Sequence, residues 1–157
     1  EWKKKKAEGK NTFLDGKHAD YFGTVGCVAL DAKGNIAAGT STGGLTGKQF
    51  GRIGDSPIIG AGTYANNKTC GISCTGHGEY FIRYAVAHDI SAHMEYKNST
   101  LAEAARDIVQ INLKKAKGSG GIIGLDAKGN IVMEFNPPAM NRGSIDKNGK
   151  LTTGIFK

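Results

Sequence analysis

The chain has 157 residues, 39% of them hydrophobic and 22% charged, the size and balance of one globular domain with a real core, and no apolar run approaches the roughly 18 to 20 residues that span a bilayer. Its 24 glycines against 3 prolines are spread among apolar runs, which argues for tight turns and close backbone approach rather than disorder. The formal charge of +7 divides into six Lys against four acids in residues 1–23 and fifteen basic against ten acidic residues thereafter; it is scattered and lacks any RNA- or DNA-binding signature, so a nucleic-acid partner is not expected.

Residues 1–22 are polar and Lys-rich and read as a surface segment or linker. Lys3 to Lys6 are not followed by the apolar stretch of a signal peptide, so a cytoplasmic location is expected. At Gly23 the composition changes. Thr24 to Leu30 is apolar and β-prone, residues 31–35 carry turn chemistry, and Ile36 to Thr40 resumes the apolar run, which predicts a β-hairpin. The heptapeptide Leu-Asp-Ala-Lys-Gly-Asn-Ile at 30–36 recurs at 125–131, again between apolar runs, and predicts a second one. Between them lie a Gly-rich loop region (43–57), apolar runs at 58–65 and 69–75, and two helical stretches. In the first, over 79–96, Ile82, Val86 and Ile90 fall four apart on one face. In the second, Leu101, Ala104, Ile108 and Ile111 form another face, and Thr100 with Glu103 makes a capping box that fixes its start. Strands, then helices, then strands predict an α+β fold with antiparallel sheet rather than repeated βαβ units. Three cysteines, Cys27, Cys70 and Cys74, lie in apolar or Gly-rich stretches and read as buried, reduced thiols.

No Gly-x-Ser-x-Gly elbow or phosphate loop is present. What remains are threonines in unusual company. Thr24 opens the first apolar strand behind a glycine, Thr42 stands where strand gives way to a Gly-Gly loop, and Thr75 sits between a strand and the first helix. Arg52 and Asp55 lie three apart in Gly51 to Pro57. Singly, each has a plain explanation: threonine is at home in strands and turns, and an Arg–Asp surface pair is worth about 0–1 kcal/mol. His77 reads as supporting the site from behind or as exposed. His88 and His93 are five apart and do not share a helix face, so no metal is expected.

Taken in order, GTVGCVALDAKGNIAAGTSTGG (23–44), GRIGDSP (51–57), GAGTYANN (60–67) and CTGHGE (74–79) resemble the β-subunit of the plant-type L-asparaginases, or isoaspartyl aminopeptidases, and the likeness runs on to the terminal TTGIFK. Glycosylasparaginases carry Asp before the nucleophile and Asn between Thr and Gly of the second motif; Gly23 and Gly43 stand there instead and favour the asparaginase branch. The resemblance implies an N-terminal-nucleophile hydrolase. Residues 1–23 are then the linker end of a precursor α-portion, and 24–157 are the catalytic β-subunit, half of an αββα sandwich with mostly antiparallel strands and two helices. It further implies autocleavage between Gly23 and Thr24, with Thr24 as nucleophile. Thr42 would orient that hydroxyl, and Thr75 with the N–H of Gly76 would form the oxyanion hole. Arg52 and Asp55 would hold the substrate's α-carboxylate and α-ammonium, with Gly76 and Gly78 leaving room for substrate. The implied substrates are L-asparagine and β-aspartyl dipeptides. The implied partners are the α-portion and a second αβ unit. This chain would hold no cofactor, since the family's structural sodium loop belongs to the α-portion. A glycosylasparaginase-like amidase and a non-catalytic fragment that needs its α-portion stay open as alternatives.

Overall fold

The structure, a computed structural model, describes residues 23–45, 48 and 51–157; the linker reading of residues 1–22 lies outside them. Strands β1 (Thr24–Leu30) and β2 (Ile36–Thr42) form the first predicted hairpin, two residues longer than expected, in a register that runs from Leu30 opposite Ile36 to Thr24 opposite Thr42. Its turn is held by one side chain. Asp31 Oδ1 accepts from the N–H groups of Lys33 and Asn35, each at 2.8 Å, and Oδ2 accepts from the Asn35 amide at 2.8 Å. These bonds, that of the Asn35 amide foremost, hold the Asp31 carboxyl below its ordinary pKa. Gly34 takes φ +85°, which a side chain would resist.

β3 (Thr63–Ala65), β4 (Cys70–Gly76), β5 (Gly120–Asp126) and β6 (Ile131–Phe135) form an antiparallel sheet in that order. The second heptapeptide makes the β5–β6 turn with the same bonds, from Lys128 and Asn130 N–H to Asp126 Oδ1 and from the Asn130 amide to Oδ2. A third Asp-turn, on Asp146, joins β7 (Ala139–Ile145) to β8 (Leu151–Phe156).

Strand alternation decides what lies on each face of this sheet. From β4, Cys70, Ile72 and Cys74 enter the core with Ile122 and the helices. Ser73 belongs to the other face, where β1 and β2 pack. Thr40 Oγ1 is 2.6 Å from Ser73 Oγ, and a Cβ on Gly26 would stand 2.1 Å from that same oxygen, so only glycine lets β1 approach this closely. The layers are therefore helices, sheet, hairpin. That is an α+β fold of mostly antiparallel strands, as expected.

Helices α1 (Gly78–Arg83) and α2 (Val86–Lys97) replace the single helix predicted over 79–96. The chain breaks at Ala85, at φ 45° and ψ 48°. The first N–H groups of α2 find tertiary partners instead of a side-chain cap: Ala87 donates to Ala61 O at 3.3 Å and His88 to Gly60 O at 2.8 Å. Val86 and Ile90 are buried as predicted, but Ile82 is 36% exposed and Phe81 fills the core in its place. Helix α3 (Leu101–Arg106) continues into a π-helical segment, Asp107–Leu113. Wider π turns advance the buried face by about one residue per turn, which turns Ile111 outward at 56% exposure and brings in Leu113. Thr100 caps α3 as predicted, accepting from Glu103 N–H at 3.2 Å while Glu103 accepts from Thr100 N–H at 2.9 Å. Thr100→Ala is expected to cost about 1 kcal/mol, a fall of ~2–4 °C in a thermal melt for a domain of this size.

The thiols divide. Cys70 and Cys74 are buried as expected, and burial pushes the Cys70 thiol up to about 12 and the Cys74 thiol well above its ordinary range, so neither is a nucleophile near neutral pH. Cys27, expected inside, is exposed because alternation along β1 puts it on the hairpin's outer face with Val25, itself 73% exposed.

Candidate active site

The five-residue turn sets Thr24 opposite Thr42, and Thr24 Oγ1 donates to Thr42 Oγ1 at 3.3 Å. The same Thr42 oxygen accepts from Gly44 N–H at 2.9 Å. Two donors on its oxygen leave the Thr42 proton free to turn toward a third group. Thr40, two residues back on the same face, anchors this strand end. It donates to Gly62 O at 2.9 Å, which makes Ser73 the donor in its 2.6 Å contact. The sequence reading missed Thr40, although a spacing of two from Thr42 is its signal.

Thr24 and Thr42 form part of the wall of a cavity of about 390 Å³ shared with Arg52, Asp55, Gly76 and Gly78. Of the predicted side chains and glycines, only Thr75 and Gly23 stand outside that wall. Thr75 is half-buried at the end of β4, opposite Gly121, next to Gly76. Gly76 has φ +145°, and a Cβ there would lie 2.4 Å from Ser119 O. Gly23 is exposed, and a Cβ built on it would meet no atom of the described residues within 4 Å.

Arg52 and Asp55 are not simply each other's partners. Arg52 Nη2 is 3.5 Å from Glu79 Oε2 on α1, a contact foreshadowed only by the glutamate that closes CTGHGE. Asp55 is 6% exposed, and its Oδ2 is buried without a hydrogen-bond donor among the described residues. Burial pushes its carboxyl above the ordinary carboxylate range, and a hydrogen bond from its own backbone N–H, then the Arg52 charge, hold it part of the way back. Gly78 makes the placement possible, since a Cβ there would lie 2.7 Å from Asp55 Oδ1. A buried carboxylate oxygen without a donor is costly unless a cation joins it.

Among the described residues, no histidine side chain forms part of the cavity wall. The His77 ring is 6.2 Å from that of Tyr80, and His88 meets Tyr64 edge-on at 5.3 Å. His93 lies 2.9 Å from Lys97 Nζ and 3.9 Å from Asp89. Among the described residues no group of three or more His, Cys, Asp or Glu side chains gathers around a common point, and no helix is long and apolar enough to cross a membrane. The cavity thus offers a hydroxyl pair, a guanidinium and a carboxylate with one unsatisfied oxygen, a set suited to a small zwitterion.

Comparison with known proteins gives the same direction. The family model Asparaginase matches residues 1–155. The chain is 51% identical over 135 residues to the isoaspartyl peptidase of Escherichia coli (strain K12), covering 86% of the chain and 42% of that protein. Against the probable isoaspartyl peptidase/L-asparaginase 2 of Arabidopsis thaliana it is 50% identical over 134 residues, 85% of the chain and 40% of the relative. The isoaspartyl peptidase/L-asparaginase of Rattus norvegicus is 45% identical over 133 residues, 85% of the chain and 39% of the relative. The chain spans about two-fifths of the length of these curated relatives.

Proposed function

The chain belongs to the Asparaginase family, and on that premise we propose that it is the nucleophile-bearing part of an amidohydrolase acting on L-asparagine and β-aspartyl dipeptides. The observation that carries the reading is one cavity wall shared by the Thr24–Thr42 hydroxyl pair and Asp55, whose Oδ2 has no donor among the described residues.

In this proposal the Thr24 hydroxyl first attacks the Gly23 carbonyl. The acyl group passes from nitrogen to oxygen, and water hydrolyses the ester, leaving Thr24 with a free α-amine beside its hydroxyl. Such an amine has an ordinary pKa of about 7.7–8.0, so near neutral pH part of it is neutral and accepts the hydroxyl proton as attack begins. Thr42 keeps the hydroxyl aimed. The Arg52 guanidinium grips the substrate's α-carboxylate, and Asp55 takes its α-ammonium. A peptide-bonded asparagine offers neither charge. The side-chain carbonyl then faces Thr24, with Thr75 and the Gly76 N–H donating to its developing oxyanion, a kind of contact worth about 2.7–4 kcal/mol per donor. Ammonia or an amino acid departs with the proton from the Thr24 amine, and water releases L-aspartate from the Thr24 ester.

We further propose that an α-portion of the same precursor completes the sandwich and pairs with this chain into αβ units that dimerise. Two features support a missing layer. The outer face of the β1–β2 hairpin, from Val25, Cys27 and Ala29 to Ala37, Gly39 and Ser41, is exposed and carries no charge. Ile145, Leu151 and Phe156 on β7 and β8 are 65–72% exposed. Uncovered apolar surface of this kind marks an interface.

The test is direct. The complete polypeptide containing this segment is expected to release ammonia from L-asparagine and leucine from β-aspartyl-leucine, and to leave Nγ-glycosylated asparagine intact. Preferential release of the sugar would move the assignment to the glycosylasparaginase branch, and turnover of none of the three would overturn it.

A further inference from the structure

We propose that Lys48 is a specificity-determining residue that grips the carboxylate of the leaving amino acid, and so makes β-aspartyl peptides with a free C-terminus the favoured substrate class. The inference rests on the hydrolase reading above and deepens it. Lys48 lines the same cavity as Thr24, Thr42, Arg52 and Asp55. Its side chain folds back over Gly44, where a Cβ would stand 2.9 Å from Cδ and 3.0 Å from Nζ. Gly44 in turn donates its N–H to Thr42 Oγ1 at 2.9 Å, and that oxygen accepts from Thr24 Oγ1 at 3.3 Å. The ammonium therefore hangs at the nucleophile's end of the cavity, one residue's backbone away from the hydroxyl pair. The other cation of the wall, Arg52, is paired with Glu79 on α1.

Two cations on one small cavity suit a substrate with two carboxylates. L-Asparagine has one, and Arg52 accounts for it. A β-aspartyl dipeptide has a second, two bonds beyond the scissile nitrogen, on the side from which the leaving group departs. In the mechanism proposed above the Thr24 amine hands its proton to that leaving group, so the second carboxylate would lie toward the Thr24 end of the cavity, where Lys48 folds over Gly44. Gly44, with φ +79°, matters here because a side chain on it would occupy the space the lysine stem uses. A lysine suits this role better than a second arginine would: its compact charge on a flexible stem accepts carboxylates from leaving residues of different size.

The experiment compares kcat/KM for β-aspartyl-leucine with that for its C-terminal amide in the complete, self-cleaved protein, with L-asparagine as the control for turnover itself. The parent is expected to prefer the free acid by about two- to fivefold at low ionic strength, the range for a partly solvated ion pair. That preference is expected to shrink with added salt. Lys48→Met is expected to bring the acid-to-amide ratio close to one, and Lys48→Arg to restore most of it. A parent without any preference, or a Lys48→Met variant whose ratio is unchanged because both substrates lose equally, would overturn this proposal and leave the hydrolase reading standing. A parent that turns over none of the three compounds would sink both.

Discussion

Thr24→Ala is expected to leave the complete polypeptide in one piece and to lower amide hydrolysis by at least about 10⁴-fold, the scale on which removal of a covalent nucleophile is felt. The reason is the double use of one residue. Its hydroxyl is needed for the attack that opens the chain, and only that opening frees the amine that later serves as base. Without the hydroxyl neither event occurs, so two losses arise from a single missing oxygen. Thr24→Ser keeps both groups and is expected to mature and turn over, more slowly because its smaller side chain is less constrained in rotamer. Thr24→Val keeps the shape of threonine and is expected to behave like the alanine variant, which separates chemistry from packing. Intact mass after incubation reads the cut, and ammonia release reads the turnover. An alanine variant that splits at the parent's rate would remove Thr24 from the mechanism.

Asp55→Asn is expected to lower kcat/KM for L-asparagine by about 30-fold or more, since breaking one side of a buried charge pair costs roughly 2–5 kcal/mol, and at the same time to raise the melting temperature at neutral pH. The second effect follows from the sign of the shift. Burial raises the folded-state pKa of Asp55 above its ordinary value, so the native protein binds this proton more tightly than the unfolded chain. Below an unfolded pKa of about 3.9 both states are protonated and the residue is neutral to stability. As the pH climbs from there through the raised folded value, the ionised form accumulates and stability is lost. Asparagine has no charge to desolvate, so the variant's advantage is expected to appear over that window and persist to pH 7. Bound substrate, whose ammonium satisfies the carboxylate, should narrow the gap in the parent alone. Melting curves between pH 4 and 8, with and without L-aspartate, decide this. A variant less stable than the parent at pH 7 would mean that the donors within the fold, the backbone N–H groups of Asp55 and Ser56 among them, outweigh the cost of burying the charge.

The hairpins and the α3 cap were legible in the sequence because each is a local device. Asp31 makes its turn with Lys33 and Asn35, no more than four residues along the chain, and Thr100 needs only Glu103. Asp at the start and Gly three residues on also mark the β7–β8 turn at Asp146, so that hairpin was within reach although its wording differs from the heptapeptide. The break at Ala85 was not legible. It depends on carbonyls of Gly60 and Ala61 that come from a distant loop, and nothing in the 79–96 periodicity registers them. The same holds for the π segment, whose widened turns alter which residue faces inward without changing the apolar content. At the site, Thr24 and Thr42 were identified by family resemblance, yet their contact is a property of strand pairing. Glu79 as the partner of Arg52 and the burial of Asp55 required the fold, because three-residue spacing suggested an Arg52–Asp55 pair where the chain sets up a triangle.

The loop at 31–35 acts as a gauge for chemistry performed at the far end of its two strands. Because partners across the ladder are counted outward from it, one residue inserted after Ala32 would swing one strand's side chains to the opposite face and part the two hydroxyls that meet seven pairs away. A lesion there, fully exposed and distant from any substrate, is thus expected to silence the protein as surely as loss of the reacting threonine, and its signature would be an intact core with an uncut chain.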